Sequence, residues 1–298
     1  MDRIDCLAAF VNVFESGSFS AAARRLGTSQ PTVSKRIAFL EAELGASLFL
    51  RSTRRLNPTV EAEHVYKNAR DILDTFEEAR AFSRNASPQP TGTLAVGIPS
   101  SLGRNQLIPL AAEFRRLYRD VALDFRFSER QVNLVEEGLE LALRIGDLKD
   151  SALRARSLGR IPRFAVASPA YLREHPAPQT PDDLTAHFCI GYSRFGDPTN
   201  WVFEGETGRY VSPINCVLKL DDADAMQAAV LEGLGIAVLP GWLVRPLAER
   251  GDLVVVLREY TVPSLPLHAV YPDAWQLSLR ARRFIDFLVE HRNDLTGT

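Results

Sequence analysis

The stretch that decides the N-terminal fold runs from Ser18 to Ile37 and reads SFSAAARRLGTSQPTVSKRI. Two short helical patterns are separated here by Gly27, a residue that permits a tight turn. Ser29 can cap the second helix, because a serine hydroxyl accepts a backbone N–H of the first turn. Pro31 fits that first turn, where its missing N–H would be unpaired in any case. The stretch therefore predicts a helix, a glycine turn and a second helix.

The second of these helices has an apolar face and a polar face. Its apolar residues are four, three and four positions apart, which places them on one stripe of a helix: Val33, Ile37, Leu40 and Leu44. The opposite face and the first turn carry small, polar or basic side chains that suit phosphates and base edges. A preceding helix with apolar residues from Ile4 to Phe14 at the same spacing completes the layout of a helix-turn-helix.

An apolar anchor, Leu48-Phe49-Leu50, is followed by the arginine-rich segment Arg51-Ser52-Thr53-Arg54-Arg55. A hairpin of this kind suits a wing that contacts phosphates or the minor groove. Between Ala23 and Asn57 seven basic residues face two acidic ones, a net of +5, so the rest of the chain carries −7 of the total of −2. A basic module on an acidic body favours a polyanion bound at one end. A solvated basic face would give the same count, so charge alone does not decide.

The runs Ser18–Leu26, Ser29–Ile37 and Leu48–Arg51 resemble the winged helix-turn-helix of LysR-type transcriptional regulators, over about the first 65 residues. The family often has arginine where this chain has Lys35, a point charge instead of a bidentate donor. The resemblance implies that Gln30, Pro31, Ser34 and Lys35 meet bases or nearby phosphates and that Arg54 enters the minor groove. Together with the polar helix start and the basic segments, ten residues are predicted to contact DNA: Ser29, Gln30, Pro31, Thr32, Ser34, Lys35, Arg36, Arg51, Arg54 and Arg55.

A segment without glycine or proline follows Pro58 and continues to Pro88. Its apolar residues alternate four- and three-residue steps, which is typical of a coiled-coil seam: Val65, Ala69, Ile72, Phe76 and Ala79. The linker helix of the resembled family dimerises, so we expect a homodimer or homotetramer. The alternative is a helix that packs on its own chain.

From Thr93 short apolar runs alternate with helical patterns, which predicts an α/β fold with largely parallel sheets. The predicted strands are Thr93–Ile98, Ala122–Phe127, Leu141–Ile145, Phe164–Ala167, Phe188–Gly191, Ile236–Leu239, Leu253–Leu257 and Leu267–Tyr271.

The runs Leu143–Gly146, Val166–Leu172 and Gly233–Pro240 resemble the effector domain of the same family, a two-lobed fold like that of periplasmic binding proteins. The predicted organisation is a winged helix-turn-helix over 1–58, a linker and dimerisation helix over 59–87, a hinge over 88–92 and an effector-binding domain over 93–298. Lobe one takes 93–162 and 267–298, and lobe two takes 163–266.

Open α/β sheets bind ligands beyond the carboxyl ends of their strands. The residues at such ends are the candidate effector contacts: Ser100, Ser101, Ser128, Arg144, Gly146 and Tyr192. Helix N-termini at these positions favour an anionic or carbonyl-bearing ligand. Each serine could equally be a helix cap, and Arg144 could bridge the lobes instead of pairing with a carboxylate.

No pattern in the sequence points to catalysis, a metal or a cofactor. The five histidines lack metal-site spacing, and Ser100 lacks the flanking glycines of a nucleophile elbow. Gly233-Leu234-Gly235 is half a dinucleotide fingerprint, but it precedes a strand instead of following one. Apolar runs are too short to span a membrane, and three distant cysteines suit reduced thiols. We therefore expect a cytoplasmic protein that is not an enzyme and does not bind a membrane.

The sequence thus predicts a DNA-binding transcription regulator that is modulated by a small-molecule effector held between two α/β lobes. Its expected partners are double-stranded DNA, an effector (anionic if the helix N-termini bind it) and RNA polymerase. Two alternatives stay open. One is a ligand-binding protein or α/β enzyme whose N-terminal module serves oligomerisation, and the other is a regulator that needs no effector.

Overall fold

A computed structural model describes residues 1–51, 56–83, 89–130, 133–134, 136–148, 153–194, 199–272 and 277–298. The chain divides into two compact units, Met1–Thr91 and Gly92–Thr298. The first is mainly helical, and the second is mixed α/β.

The first unit is a winged helix-turn-helix followed by a long helix. Its elements are α1 (Arg3–Ser16), α2 (Phe19–Arg25), α3 (Gln30–Leu44), β1 (Phe49–Arg51), β2 (Leu56–Pro58) and α4 (Val60–Ser83). The hydroxyls of Ser18 and Ser29 cap α2 and α3, as the sequence predicts. Gly45 ends α3 in the left-handed conformation that favours glycine. Val33, Ile37 and Leu40 of α3 pack against α1 around the fully buried Phe10, whereas Leu44 of the predicted stripe is exposed.

The first half of α4 packs on α1 of its own chain. Tyr66 stacks on Phe14 with ring centroids 4.3 Å apart. The Glu15 carboxylate accepts hydrogen bonds from the Tyr66 hydroxyl at 2.8 Å and from Arg70 at 2.7 Å. Ala69 is buried there. Part of the predicted seam is therefore used within the first unit, as the alternative interpretation of this helix expects.

The seam residues farther along α4 face outward. Ile72 is 47% exposed and Phe76 41% exposed. The side chain of Ala79 lies outside the described residues. This second half of α4 keeps an apolar surface that the first unit does not bury.

The second unit alternates strands and helices. It begins with β3 (Gly92–Ile98), α5 (Ser100–Leu102), a π-helical segment (Gly103–Leu107), α6 (Ile108–Leu117), β4 (Val121–Phe127), β5 (Leu141–Ile145), β6 (Leu153–Ala167), α7 (Pro169–Glu174), a 3-10 helix (Pro181–Ala186) and β7 (Phe188–Tyr192). It continues with β8 (Asn200–Gly205), β9 (Gly208–Pro213), β10 (Asn215–Leu220), α8 (Ala223–Leu231), β11 (Ile236–Pro240), α9 (Gly241–Arg250), β12 (Val254–Val255), β13 (Val262–Pro272), α10 (Leu279–Glu290) and α11 (Arg292–Thr296).

One sheet runs through this unit in the order β10-β7-β11-β6-β13-β5-β3-β4, with β12 beside β6. Three strands at each end are parallel, β10-β7-β11 and β5-β3-β4. Between them β6 and β13 are antiparallel to each other and to their outer neighbours. The expectation of largely parallel sheets is therefore wrong at the centre. The two long strands pass through the predicted lobe boundaries at 162/163 and 266/267.

Each end of the sheet is covered by its own core. In lobe one the ring of Phe114 meets Phe284 and Phe287 edge-on, with centroids 5.0 and 5.4 Å apart. In lobe two Ile190 and Leu239 are fully buried in a cluster with α8 and α9. Strands β6 and β13 pass between these cores, and residues at the carboxyl ends of β3, β5, β7 and β11 line a space between the lobes.

Candidate functional site

The first turn of α3 presents the polar surface that the sequence predicts. Ser29, Gln30, Pro31 and Lys35 are exposed, and Thr32 is half-buried. The Ser29 hydroxyl accepts the Thr32 N–H at 3.3 Å and lies 2.8 Å from the Thr32 hydroxyl. These two hydroxyls order the start of the helix, and the outward side chains can approach a groove.

Ser34 is half-buried. Arg36 is also half-buried, whereas its neighbour Lys35 is exposed. The Arg36 guanidinium forms an ion pair with Asp5 of α1, and its side chain is only 20% exposed. In the part of the chain that the structure describes, no carboxylate lies within ion-pair distance of Lys35. Of the two cations, Lys35 is therefore the one available to an external anion.

The start of the wing is fixed by an acidic residue of α3. The Glu41 carboxylate accepts the Leu48 N–H at 2.7 Å and the Phe49 N–H at 3.3 Å. Arg51 ends β1, and its side chain lies outside the described residues, as do Arg54 and Arg55. The wing strands are described, and the contacts of the three arginines stay predictions.

A cavity of about 980 Å³ opens between the two ends of the sheet in the second unit. This volume falls at the upper end of the range for small-molecule sites, about 300–1,000 Å³. Its apolar wall includes Ile161, Ile190, Met226 and the indoles of Trp201 and Trp242. The space suits a ligand with a large apolar body.

Four of the six predicted effector residues line this cavity: Ser101, Ser128, Arg144 and Tyr192. Ser100 and Gly146 do not belong to the lining. The N–H of Gly146 donates to the Pro266 carbonyl at 2.8 Å, which ties β5 to β13. For these two positions effector contact stays a prediction, and each backbone N–H already donates a hydrogen bond within the protein.

The Ser100 N–H is taken by Glu129, a cavity residue that the sequence reasoning missed. One carboxylate oxygen of Glu129 accepts this N–H at 2.7 Å, and the other accepts the Tyr192 hydroxyl at 3.4 Å. Burial and the nearby carboxylate raise the pKa of Tyr192, so its hydroxyl remains a donor. Arg194 donates to the backbone carbonyl of Glu129. Glu129 thus joins lobe one to lobe two.

A second group of polar contacts joins the lobes next to it. The Ser101 hydroxyl accepts the Trp242 indole N–H at 3.3 Å and donates to Asp224 at 3.3 Å. Asn105 donates to the same carboxylate at 3.1 Å, and Arg104 forms an ion pair with it. Because Asp224 lies in the first turn of α8, these bonds connect the two lobes beside the cavity.

Arg163 is a half-buried cation of the cavity lining, and the sequence reasoning missed it too. Its Nε and one terminal nitrogen donate to the Pro263 carbonyl at 2.9 and 2.5 Å. Among the described residues, no carboxylate lies within ion-pair distance of Arg163. Burial lowers its pKa to about 10 and also lowers that of Arg144. A desolvated cation without an anionic partner is an attractive site for a ligand anion.

A simple sequence signal could have found part of this lining. The aromatic and branched alternation Trp201-Val202-Phe203 and the turn after Gly205 are typical of a β-hairpin. The hairpin exists as β8 and β9, and Trp201 and Val211 from its two strands line the cavity. No local pattern points to Glu129 or Arg163, because their partners are distant in the sequence.

Within the described residues, no helix is long and apolar enough to cross a membrane, and no group of three or more metal-ligating side chains is present. Cys6 and Cys189 are buried and Cys216 is half-buried, all as free thiols. Burial raises the pKa of the Cys189 thiol to about 12, so it stays protonated.

Comparison with known proteins agrees with both units. Residues 4–63 match the family described as bacterial regulatory helix-turn-helix protein, lysR family, and residues 87–293 match the LysR substrate binding domain. The HTH-type transcriptional regulator CrgA of Neisseria meningitidis serogroup B is 36% identical over 295 residues, 98% of each chain. PtxR of Pseudomonas aeruginosa is 34% identical and covers 97% of this chain and 93% of its own.

Solved structures give the same result. The structure of CrgA, a LysR-type transcriptional regulator from Neisseria meningitidis, superposes with a TM-score of 0.62 at 34% identity, over 97% of this chain and 98% of that one. The full-length Vibrio cholerae virulence activator AphB gives a TM-score of 0.58 at 26% identity, over 97% and 99%.

Fold and comparisons together define a class of protein in which a winged helix-turn-helix is joined to a two-lobed ligand-binding unit. The chain belongs to the LysR-type transcriptional regulators. It is a DNA-binding transcription regulator with an effector-binding domain, and its family is not enzymatic. The predictions of fold class and function are confirmed.

Proposed function

We propose that this regulator reads DNA with the first turn of α3 and holds phosphates or the minor groove with its wing. The residues assigned to DNA are Ser29, Gln30, Pro31, Thr32, Ser34, Lys35, Arg51, Arg54 and Arg55. The observation that supports this proposal is the exposed, polar first turn of α3, where Lys35 has no acidic partner among the described residues. Arg36 supports the site from behind through its ion pair with Asp5.

Two copies of the chain would read two half-sites. The exposed Ile72 and Phe76 on the second half of α4 supply an apolar surface for a partner helix. A homodimer, or a tetramer made of two such dimers, would then bind an interrupted palindrome, because operator symmetry mirrors protein symmetry. RNA polymerase is the expected downstream partner at a promoter, and the cytoplasm is the expected location.

The cavity of the second unit is the proposed effector site. Its lining combines an apolar wall with the half-buried cations Arg144 and Arg163, which favours an anionic effector. A ligand that binds one arrangement of the lobes better than another shifts the population toward it. The bonds of Glu129 and Asp224 across the cavity are the contacts that such a shift would make or break.

The test is a DNA selection with the purified full-length protein. We expect enrichment of an interrupted palindrome, with enrichment lost in Lys35→Ala. The exposed Lys219 of β10 provides the matched control, and Lys219→Ala should select the same sequence. A folded protein that enriches no sequence would contradict the proposal.

A further inference from the structure

Two hydrogen-bond donors beside the cavity, the Ser100 N–H and the Tyr192 hydroxyl, already bind a carboxylate of the protein. Glu129 accepts the Ser100 N–H at 2.7 Å and the Tyr192 hydroxyl at 3.4 Å, so its carboxylate sits where a ligand carboxylate would otherwise bind. A ligand anion placed here would meet the negative charge of Glu129 and find these two donors used. Like charges at close range disfavour binding.

Arg163, which has no carboxylate within ion-pair distance among the described residues, lies elsewhere in the lining. Arg163 pairs in register with Pro240 of β11 and Val262 of β13, on the strand that crosses between the lobes. Strand β11 separates β6 from β7, which ends at Tyr192, so the backbones of Arg163 and Tyr192 are about two strand spacings, or roughly 10 Å, apart. Arg163 and the Glu129 carboxylate therefore lie on different parts of the cavity lining.

Apolar side chains form a large part of the cavity lining. Trp201, Met226 and Ile190 line it, together with Val238 of β11 and Leu265 of β13. The guanidinium of Arg163 uses two of its nitrogens on the Pro263 carbonyl, which holds the group in place while other N–H donors remain. A ligand therefore binds most tightly here if one anionic group pairs with this cation and the apolar part of the ligand fills the remaining space.

We propose that the cavity selects monoanions with a large apolar body, that Arg163 binds the anionic group, and that the Glu129 carboxylate excludes a second one. This inference rests on the proposed effector role of the cavity and adds the ligand class and the residue that sets it. Glu129 is a specificity residue in this account, and Arg163 is the anion-binding residue.

The test uses three related probes and isothermal titration calorimetry on the full-length protein. The probes are para-phenylbenzoate, its neutral amide, and the biphenyl dicarboxylate with a second carboxylate at the far end. The wild type should bind para-phenylbenzoate at least about tenfold more tightly than either of the other probes. The amide lacks the negative charge that strengthens the hydrogen bond to Arg163, and the second carboxylate of the dicarboxylate is repelled by Glu129. Equal affinity for the acid and the amide, equal affinity for the dicarboxylate, or no binding of the monoacid overturns the proposal.

Variants assign the effect to residues. Arg163→Met should weaken binding of the monoacid by about 10- to 100-fold and leave the amide unchanged. Arg160→Met is the matched control on the same strand, because Arg160 is exposed and bonded to Ser264 instead of lining the cavity. It should bind all three probes as the wild type does. If Arg163→Met does not fold, the comparison of the three probes on the wild type still decides.

Changes at Glu129 should raise dicarboxylate affinity. Glu129→Gln removes the negative charge, and Glu129→Ala also frees the Ser100 N–H and the Tyr192 hydroxyl, so we expect Ala to exceed Gln and both to exceed the wild type. If both variants bind the monoacid and the dicarboxylate with the same ratio of affinities as the wild type, the proposed role of Glu129 is overturned. Failure of these probes with intact operator binding counts against this inference alone, whereas probe binding without operator selection counts against the proposed DNA function.

Discussion

Lys35 and Arg36 are adjacent and both basic, but the structure gives them different surroundings. Arg36 is mostly buried against Asp5, and Lys35 is exposed. Sequence reasoning placed both on the DNA because a helix pattern fixes which face a residue occupies but not which acidic side chain of a neighbouring helix reaches it. The contact depends on how α1 crosses α3, and that is a tertiary property.

Lys35→Ala should weaken binding to the selected operator by about 1–3 kcal/mol, because it removes a positive charge from the proposed interface. Its unfolding free energy should stay within about 0.5 kcal/mol of the wild type, since the side chain is exposed. Fluorescence anisotropy and urea denaturation measure the two quantities. An equal loss of affinity in Lys219→Ala would show a non-specific charge effect and contradict the assignment.

The conformations of Gly233 and Gly235 explain why glycine occupies both positions of the Gly233-Leu234-Gly235 motif. Both have positive φ, +78° and +147°, so both favour glycine. A Cβ on Gly235 would lie 2.3 Å from the backbone carbonyl oxygen of Phe188, whereas on Gly233 its nearest neighbour would be Ser168 at 3.8 Å. The pair therefore serves a helix end and a close approach to a strand.

Gly235→Ala should destabilise the second unit by more than about 2 kcal/mol, since strain at positive φ is added to a collision with fixed backbone. Gly233→Ala carries only the conformational cost, about 1–2 kcal/mol. Urea denaturation followed by circular dichroism compares the two variants. Equal midpoints would mean that the approach to Phe188 does not constrain position 235.

At the scale of elements, periodicity located the helix-turn-helix and most parallel strands. It missed most of β6, which was predicted only over Phe164–Ala167 and runs over Leu153–Ala167. The residues before Ile161 are largely exposed and include several arginines, so no hydrophobic alternation marks them. Their strand structure comes from pairing with β13, a partner about a hundred residues away. A local sequence pattern does not contain information on pairing with such a distant strand.

Helix α4 carries two functions along its length. Its first half is fixed to α1 through Tyr66 and Arg70, and its second half exposes Ile72 and Phe76. Ile72→Asp should convert the proposed dimer to monomer, because a charge would be buried in the apolar contact between helices. Analytical ultracentrifugation measures the mass. Asn68→Asp adds a charge at an exposed position of the same helix and should leave the dimer intact. A dimer that persists in Ile72→Asp would contradict this role.

On the scale of the whole molecule, the basic segment proposed to bind DNA and the cavity proposed to bind an effector lie in different units. The segment from Ala23 to Asn57 carries a net +5 and the remainder −7, so attraction to DNA is concentrated in the first unit. The cavity, with Arg163 and Glu129, lies entirely in the second unit. The sequence predicted this division and the location of the cavity at strand ends. It did not reveal the cavity's own charges, which depend on which strands become neighbours.

The central claim is sequence-specific DNA binding by the first unit. The most direct measurement compares the dissociation constants of full-length protein for the selected operator and for a scrambled duplex of equal length, at several salt concentrations. We expect the operator to bind at least about 1,000-fold more tightly, with both affinities falling as salt rises. Equal affinities for the two duplexes at every salt concentration would contradict the claim.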